Sequence, residues 1–419
     1  VVPAAAAAAA AAASAAAAPA PTEASPAAAS VRLIVALVLG QLGMHAAMAG
    51  LRMAAPLQTL REGYSAWSVG VLLALFAAAP VVLALYAGRY ADRHGYHRPV
   101  YLSAGLTIAG LACALASVWL TGWLHFALLC AGAMLSGTGS NMGMLTIQRA
   151  AGVLARDATE RLRLFSWLGV APSFANVLGP VAAGFAIDVG GFGWAYALLL
   201  ALPLMSLLAA RQVPRLPPRP ATAGNGRTAW DLLRAPGMKR LLVVNWLLSM
   251  CWDVHTFAVP ILGHERGFSA TTIGLILGAF TLAVTGVRLL IPLMAHHLRE
   301  ITVLRSAMAV TAGVFALYPL APTPALMGLC ALVLGVALGS VQPMVMSLLH
   351  HITPDQRHGE ALAFRSMAIN ASSTVMPLVF GAAGALTGAA LMFWLVAVAV
   401  GSGSWAARRL ANVARGPGH

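Results

Sequence analysis

Gly88-Arg89-Tyr90-Ala91-Asp92-Arg93-His94-Gly95-Tyr96-His97-Arg98 is a short, strongly basic stretch between two long apolar segments. Each flanking run holds about twenty residues, enough for a helix rising about 1.5 Å per residue to cross a hydrocarbon core of roughly 30 Å. The whole chain agrees with that reading. Of its 419 residues, 60% are hydrophobic and only 9% charged, whereas a soluble domain carries about 25% charged residues. The chain is therefore expected to be an integral, all-α membrane protein. A net charge of +14 would point to nucleic acid in a soluble protein. Here the basic residues gather in loops on one side, a pattern of topology and of attraction to anionic lipid, so no nucleic-acid partner is expected.

Apolar runs between breakers predict twelve spans, at 31–55, 67–88, 99–120, 123–148, 162–187, 192–211, 240–262, 271–293, 301–319, 324–350, 361–386 and 388–408. The one long polar linker, 212–239, opens with Gln212-Val213-Pro214-Arg215-Leu216-Pro217-Pro218-Arg219-Pro220. Proline cannot continue a helix. The linker divides the chain into six-helix bundles at 31–211 and 240–408, leaving tails at 1–30 and 409–419. The first tail is a low-complexity, alanine-rich segment without the basic start of a signal peptide, and is expected to be cytoplasmic. With the N-terminus inside, the even-numbered connections hold twelve arginines and Lys239, and the outside connections hold only Arg61 and Arg266. Orientation is thereby expected: both termini cytoplasmic, in a multi-pass protein of a bacterial inner membrane. The halves also repeat each other. Pro56, Gly63, Ser65, Gly70 and Phe76 recur 204 positions on as Pro260, Gly267, Ser269, Gly274 and Phe280, and Glu160, Leu162, Ser166, Ala171, Ser173 and Gly184 recur 200 positions on as Glu360, Leu362, Ser366, Ala371, Ser373 and Gly384. Parallel repeats of this kind place a solute site near the midplane between the halves.

The spacing G-x-x-x-D-R-x-G-x-x-R at 88–98 resembles the loop signature of the major facilitator superfamily of secondary transporters. The resemblance implies a twelve-helix fold and alternating access by rocking of the halves. It also implies that Gly88, Asp92, Arg93, Gly95 and Arg98 brace the cytoplasmic side against the helix that starts the eleventh span. A carboxylate at a helix N-terminus meets the positive end of the macrodipole, so the implied role is physically sound. The equivalent region of the second half, Met294-Ala295-His296-His297-Leu298-Arg299, has lost the pattern. In the fifth span, Gly179-Pro180-Val181-Ala182-Ala183-Gly184 is similar to the G-P-x-x-G-G signature of proton-coupled exporters, with Ala183 departing from it. The same residues also make a smooth face for close helix packing. Efflux by proton antiport is the first expectation. Proton-coupled uptake of an organic anion is the alternative.

Ionisable groups within a bilayer usually face a cavity or a partner. Asp253 is the best-placed carboxylate for carrying a proton, with His255 two residues on as an assistant. Arg52 lies at similar depth on the equivalent helix and is its expected salt-bridge partner. Arg52, Arg288 and Arg365 would suit a carboxylate- or phosphate-bearing solute through bidentate bonding. Gln41, His45, Asn141, Asn176, Asn245, Gln342 and Asn370 are polar span residues able to line the route or to join helices, and Trp167, Trp246 and Trp252 could wall a pocket. Met44, His45, Met48, Met250, Cys251 and His255 have the ligand chemistry of a cuprous site, which makes copper import a further, less favoured alternative, although Met and Cys fill helix interfaces routinely; no resident metal is expected. No C-x-x-C, H-E-x-x-H, G-x-S-x-G or phosphate-cradling loop occurs. His350, His351 and Asp355 read as a bland turn. An enzyme is therefore not expected, nor any cofactor beyond a proton gradient. A non-transporting receptor remains the reading from another class. The expected partners are a small-molecule solute and the bilayer, the protein acting as a monomer.

Overall fold

The computed structural model describes residues 26–154, 158–216, 233, 237–294, 299–353 and 358–414. Its helices are α1 (Pro26–Arg61), α2 (Ala66–His94), α3 (His97–Ser117) and α4 (Gly122–Leu154), then a long helix, Ala158–Ala210. That helix breaks at Gly191, whose φ of 81° is left-handed, into α5 (158–190) and α6 (192–210). The second half holds α7 (Met238–Glu265), α8 (Ala270–Met294), α9 (Glu300–Leu317), α10 (Pro324–Ile352), α11 (His358–Thr387) and α12 (Ala389–Ala414). The molecule is thus an all-helical membrane protein of two six-helix bundles. Among the described residues nine helices are long and apolar enough to cross a membrane, the α5–α6 unit counting as one of them. Of the others, α4 falls short because the small and polar run Ser136–Asn141 lowers its apolar character, and the described side chains of α12 cover an apolar stretch of Ala390–Gly403.

Two sequence expectations are corrected. The basic stretch at 88–98 is mostly helix rather than loop: α2 continues to His94, Gly95 turns with φ 72°, and α3 starts at His97. The N-terminal tail ends earlier than expected, because α1 begins at Pro26. Residues 1–25, 217–232 and 234–236 of the linker, 295–298, Asp355 and 415–419 lie outside the described residues.

Internal symmetry is visible in the packing. A Cβ on Gly137 would meet the Phe76 backbone, and one on Gly335 would meet the backbone of Phe280, the repeat partner of Phe76. Gly184 of α5 approaches Ala270 of α8, while Gly384 of α11 approaches Ala66 of α2. These contacts join the halves along α5–α8 and α2–α11, where small residues let helices meet without a hydrophobic driving force from water.

All the inter-half contacts just named lie toward the face that carries the α1–α2 and α7–α8 turns. There a single core runs through both halves, including Leu51, Leu57, Leu72, Val254, Phe257 and Ile273. Toward the opposite face the first half has a separate core of its own, with Leu37, Tyr96, Ile147 and Leu168. Five of the six exposed tryptophans among the described residues, Trp67, Trp119, Trp123, Trp194 and Trp394, sit near helix ends on the α1–α2 face, a belt suited to a membrane interface, with Trp167 of α5 the exception. Arg93, Arg98, Arg211, Arg215, Arg240 and Arg299 are exposed at the opposite face. The two basic residues expected on the other side are engaged there: the Arg61 guanidinium lies 5.4 Å from the Phe192 ring centroid, and Arg266 donates to the carbonyls of Pro319 and Ala321.

Candidate solute site

Helices α1, α7 and α11 bring together the chemistry at mid-depth. Asp253 of α7 is buried, with its side chain 4% exposed, and Arg52 of α1 donates from Nη2 to its Oδ1 at 3.4 Å. Two further donors come from α11. Ser372 Oγ reaches Oδ2 at 3.2 Å, and Ser373 Oγ lies 3.1 Å and 3.2 Å from the two oxygens. Every polar group in a membrane interior needs such partners, and here a carboxylate from one half is held by a cation from the other.

A cavity of about 300 Å³ surrounds the pair. Its wall includes Arg52, Ser173, Asn176, Asn245, Trp252, Asp253, Arg288, Gln342, Arg365 and Ser373. Three arginines face one carboxylate, so the site carries excess positive charge. Arg288 Nη2 donates to Gln342 Oε1 at 3.0 Å. Four buried donors around the cavity, Arg52 Nε, Asn245 Nδ2, Arg288 Nε and Arg365 Nε, have no protein acceptor among the described residues. Buried donors are normally satisfied, so these call for water or solute oxygens. Asn245, Arg288 and Arg365 lie toward the ends of their helices at the face opposite the α1–α2 turn, and the cavity therefore extends toward that face. A second space of about 410 Å³ shares Ser173, Arg288 and Gln342 with it. On the other side of Arg52 there is room for only about 40 Å³, against Trp252, Thr256 and Phe280.

Several expected residues stand apart from this cavity. His255 is buried behind it: Nε2 lies 3.0 Å from the Tyr318 hydroxyl and the ring stacks on Phe280. Helical geometry explains this, since positions two apart do not share a face. His45 lies 3.3 Å from Ser140 Oγ and 3.4 Å from Asn176 Nδ2, forming a polar contact among α1, α4 and α5 next to the wall. Gln41 is buried outside the lining with its amide unpartnered, Asn141 is half-buried in α4, and Asn370 is exposed. Of the tryptophans only Trp252 walls the cavity; Trp246 is half-buried and Trp167 exposed.

The sulfur and imidazole set does not converge. Met44 packs near Gly143, Met48 is half-buried and Met250 buried. Cys251 Sγ reaches its own helix at Leu247 O, and His45 and His255 have the separate partners given above. Among the described residues no group of three His, Cys, Asp or Glu is placed to hold a metal. In the fifth-span motif, Gly179 meets Ala46 and Gly50 of α1, and the Pro180 carbonyl meets Gly274 of α8. The motif residues are thus packing surfaces between α1, α5 and α8. Of the 88–98 set, Arg93 and Arg98 are exposed and Gly95 makes the turn. Gly88 and Asp92 lie on the α2 backbone, but the Asp92 side chain lies outside the described residues.

One residue escaped the sequence reading. Asp188 near the end of α5 caps α8 from the other half: its Oδ1 accepts from Ala270 N at 3.0 Å and its Oδ2 from Thr271 N at 2.7 Å. A carboxylate there meets unsatisfied N–H groups and the positive end of a helix dipole. The signal was present as Ser269 before the apolar run of α8, but nothing in sequence order names a cap 82 residues away. The repeat position 200 further on is Gly388, so the α2–α11 side has no equivalent.

Among curated relatives, the chain is 26% identical over 351 residues to the enterobactin exporter EntS of Citrobacter koseri, covering 78% of this chain and 77% of that protein. It is 28% identical over 230 residues to a probable actinorhodin transporter of Streptomyces coelicolor, covering 54% of this chain and 34% of that protein. Of solved structures, the nucleoside transporter NupG superposes with a TM-score of 0.71 at 14% identity, over 90% of this chain and 99% of that one. The human organic anion transporter MFSD10 does so with 0.61 at 20% identity, over 90% and 99%. The sequence profile of the Major Facilitator Superfamily matches residues 37–331 and 241–415; the chain belongs to that superfamily of transporters and is not an enzyme.

Proposed function

We propose that this transporter exports an organic metabolite in exchange for protons across a bacterial inner membrane, with both termini cytoplasmic. The observation that carries the reading is the set of four buried, unpartnered donors, three of them arginine, around one cavity. They fit a solute with several acceptor oxygens, acidic or neutral, gripped by Arg288 and Arg365. That the relatives include an enterobactin exporter and a probable actinorhodin transporter supports efflux.

Asp253 supplies the coupling. A solute that donates hydroxyl hydrogens to the Asp253 carboxylate binds only when that group is ionised. Solute and proton then exclude one another, which is what exchange requires. A simple carboxylate would do the reverse: by taking Arg52 from Asp253 it would favour protonation of the released group, so that solute and proton travel together. The Arg52–Asp253 pair thus makes the sign of proton movement diagnostic of the solute's chemistry.

The test is internal pH in proteoliposomes of purified protein loaded with a pH-sensitive dye. Enterobactin, simple organic anions, neutral hydroxylated metabolites and lipophilic cations are added singly. Proton movement opposite to a hydroxyl-bearing solute supports the proposal. Movement in the same direction with a plain carboxylate establishes uptake by symport instead, and response to lipophilic cations alone overturns the assignment of the arginines.

A further inference from the structure

A second cavity lies at the basic face, remote from the solute site. It encloses about 690 Å³ between the α2–α3 turn, the end of α6 and the first residues of the linker. Its polar wall is His94, His97, Arg98, Arg211 and Arg215, with Tyr101 beside them. Three arginines and two histidines line it, with no carboxylate among the described lining residues, and none of these arginines is ion-paired among the described residues. The cleft is a built feature. At Gly95, where φ is 72°, an added Cβ would stand 2.5 Å from Leu216 O, so the linker backbone lies directly on the turn. Val213 is buried in the same core as Tyr96 and Ala210. Two segments far apart in sequence are therefore fixed to one another with their cations around a shared space.

We propose that this cleft binds a phosphate-bearing anion, the headgroup of an anionic phospholipid. Guanidinium groups match phosphate oxygens bidentately, and α3 begins here, so its first N–H groups and dipole add to the attraction. Depth favours a lipid over a free ion. The apolar part of α3 starts at His97 and that of α6 ends at Ala210, which places Arg98 and Arg211 at the level where headgroups lie. Juxtamembrane arginines attract anionic lipid. The volume also exceeds what bare phosphate fills. A headgroup seated there would bridge the α2–α3 turn to the linker that joins the two halves.

The full chain, purified in detergent, is titrated with phosphatidylglycerol, phosphatidylcholine or inorganic phosphate and observed by native mass spectrometry and thermal melting. Wild type is expected to retain one phosphatidylglycerol, and R211Q/R215Q to bind it at least about tenfold more weakly. Phosphatidylcholine should be retained poorly by both, and the control R299Q, on the same face in the second half but outside the cleft, should bind as wild type. Phosphatidylglycerol should raise the melting temperature of wild type and R299Q but not of the double variant, and the single variants R211Q and R215Q, should the double variant fold poorly, each show part of the loss. If inorganic phosphate alone binds in an Arg211- and Arg215-dependent manner, the cleft stands but its ligand is a soluble phosphate. Equal binding by wild type and double variant, or equal weakening by R299Q, overturns the proposal.

Discussion

Asp253 holds its place because three donors from two other helices converge on it, and each is removable separately. D253N is expected to abolish proton movement in proteoliposomes while leaving solute exchange; unchanged proton coupling would remove Asp253 as the carrier. Arg288 is a cleaner probe of binding, since Gln342 takes only one of its nitrogens. R288Q is expected to raise the KM for transport about tenfold with little change in maximal rate, given about 1.5–3 kcal/mol for a charge-assisted bond in part offset by water. A fall in maximal rate with unchanged KM would place Arg288 in the conformational step. At this scale the sequence was informative about residue type. Arg52, Asp253, Arg288, Arg365, Asn176, Asn245 and Gln342 were singled out from their place in apolar runs, and the structure gathers them around one cavity. Ser372 and Ser373 were not, because a hydroxyl in an apolar helix gives no sign of its partner.

The helices are defined by breakers as much as by apolar length. Gly191 separates α5 from α6 with no loop at all, and Gly95 does nearly the same between α2 and α3. The junction of α5 with α8 depends on Gly184, whose missing side chain lets the Ala270 backbone approach. G184L is expected to force the two helices apart and cost about 1–3 kcal/mol, as overpacking does. A lower melting temperature checks this, whereas G105L, at a glycine with open space around it, should melt as wild type. Equal melting of the two variants would mean that the α5–α8 contact contributes nothing to stability. Span positions were legible in the sequence to within a few residues because apolar length in a bilayer leaves few choices. The helical nature of 88–94 was not, since basic residues at a helix end look the same as basic residues in a loop.

For the whole molecule, the shared core and the Asp188 cap close one face while the cavity extends to the other. Asp188 is exposed, so its two bonds to α8 are worth at most about 1 kcal/mol, or roughly a fivefold bias toward this closed arrangement. D188N, in a background without native cysteines and carrying T256C, should label faster with a membrane-impermeant maleimide from the α1–α2 side. Labelling at the wild-type rate would show that the cap does not hold the face shut. The family resemblance assigns Asp92 to bracing the opposite face, so D92N is expected to slow the same labelling while D188N speeds it. A shift in the same direction for both would contradict opposed roles.

Sequence alone determined that the chain spans a membrane, where its helices lie, that its halves repeat, and which ionisable residues had to find partners. These follow from the cost of polar groups in hydrocarbon, which acts on every residue according to its own type. Only the tertiary structure decided that Arg52 meets Asp253, that His255 turns away from the cavity, and that Asp188 reaches across to α8. It also brought Arg98 of α3 together with Arg211 and Arg215, which follow α6, around one cleft at the basic face. Contacts between distant helices depend on rotation and approach, which no local pattern encodes.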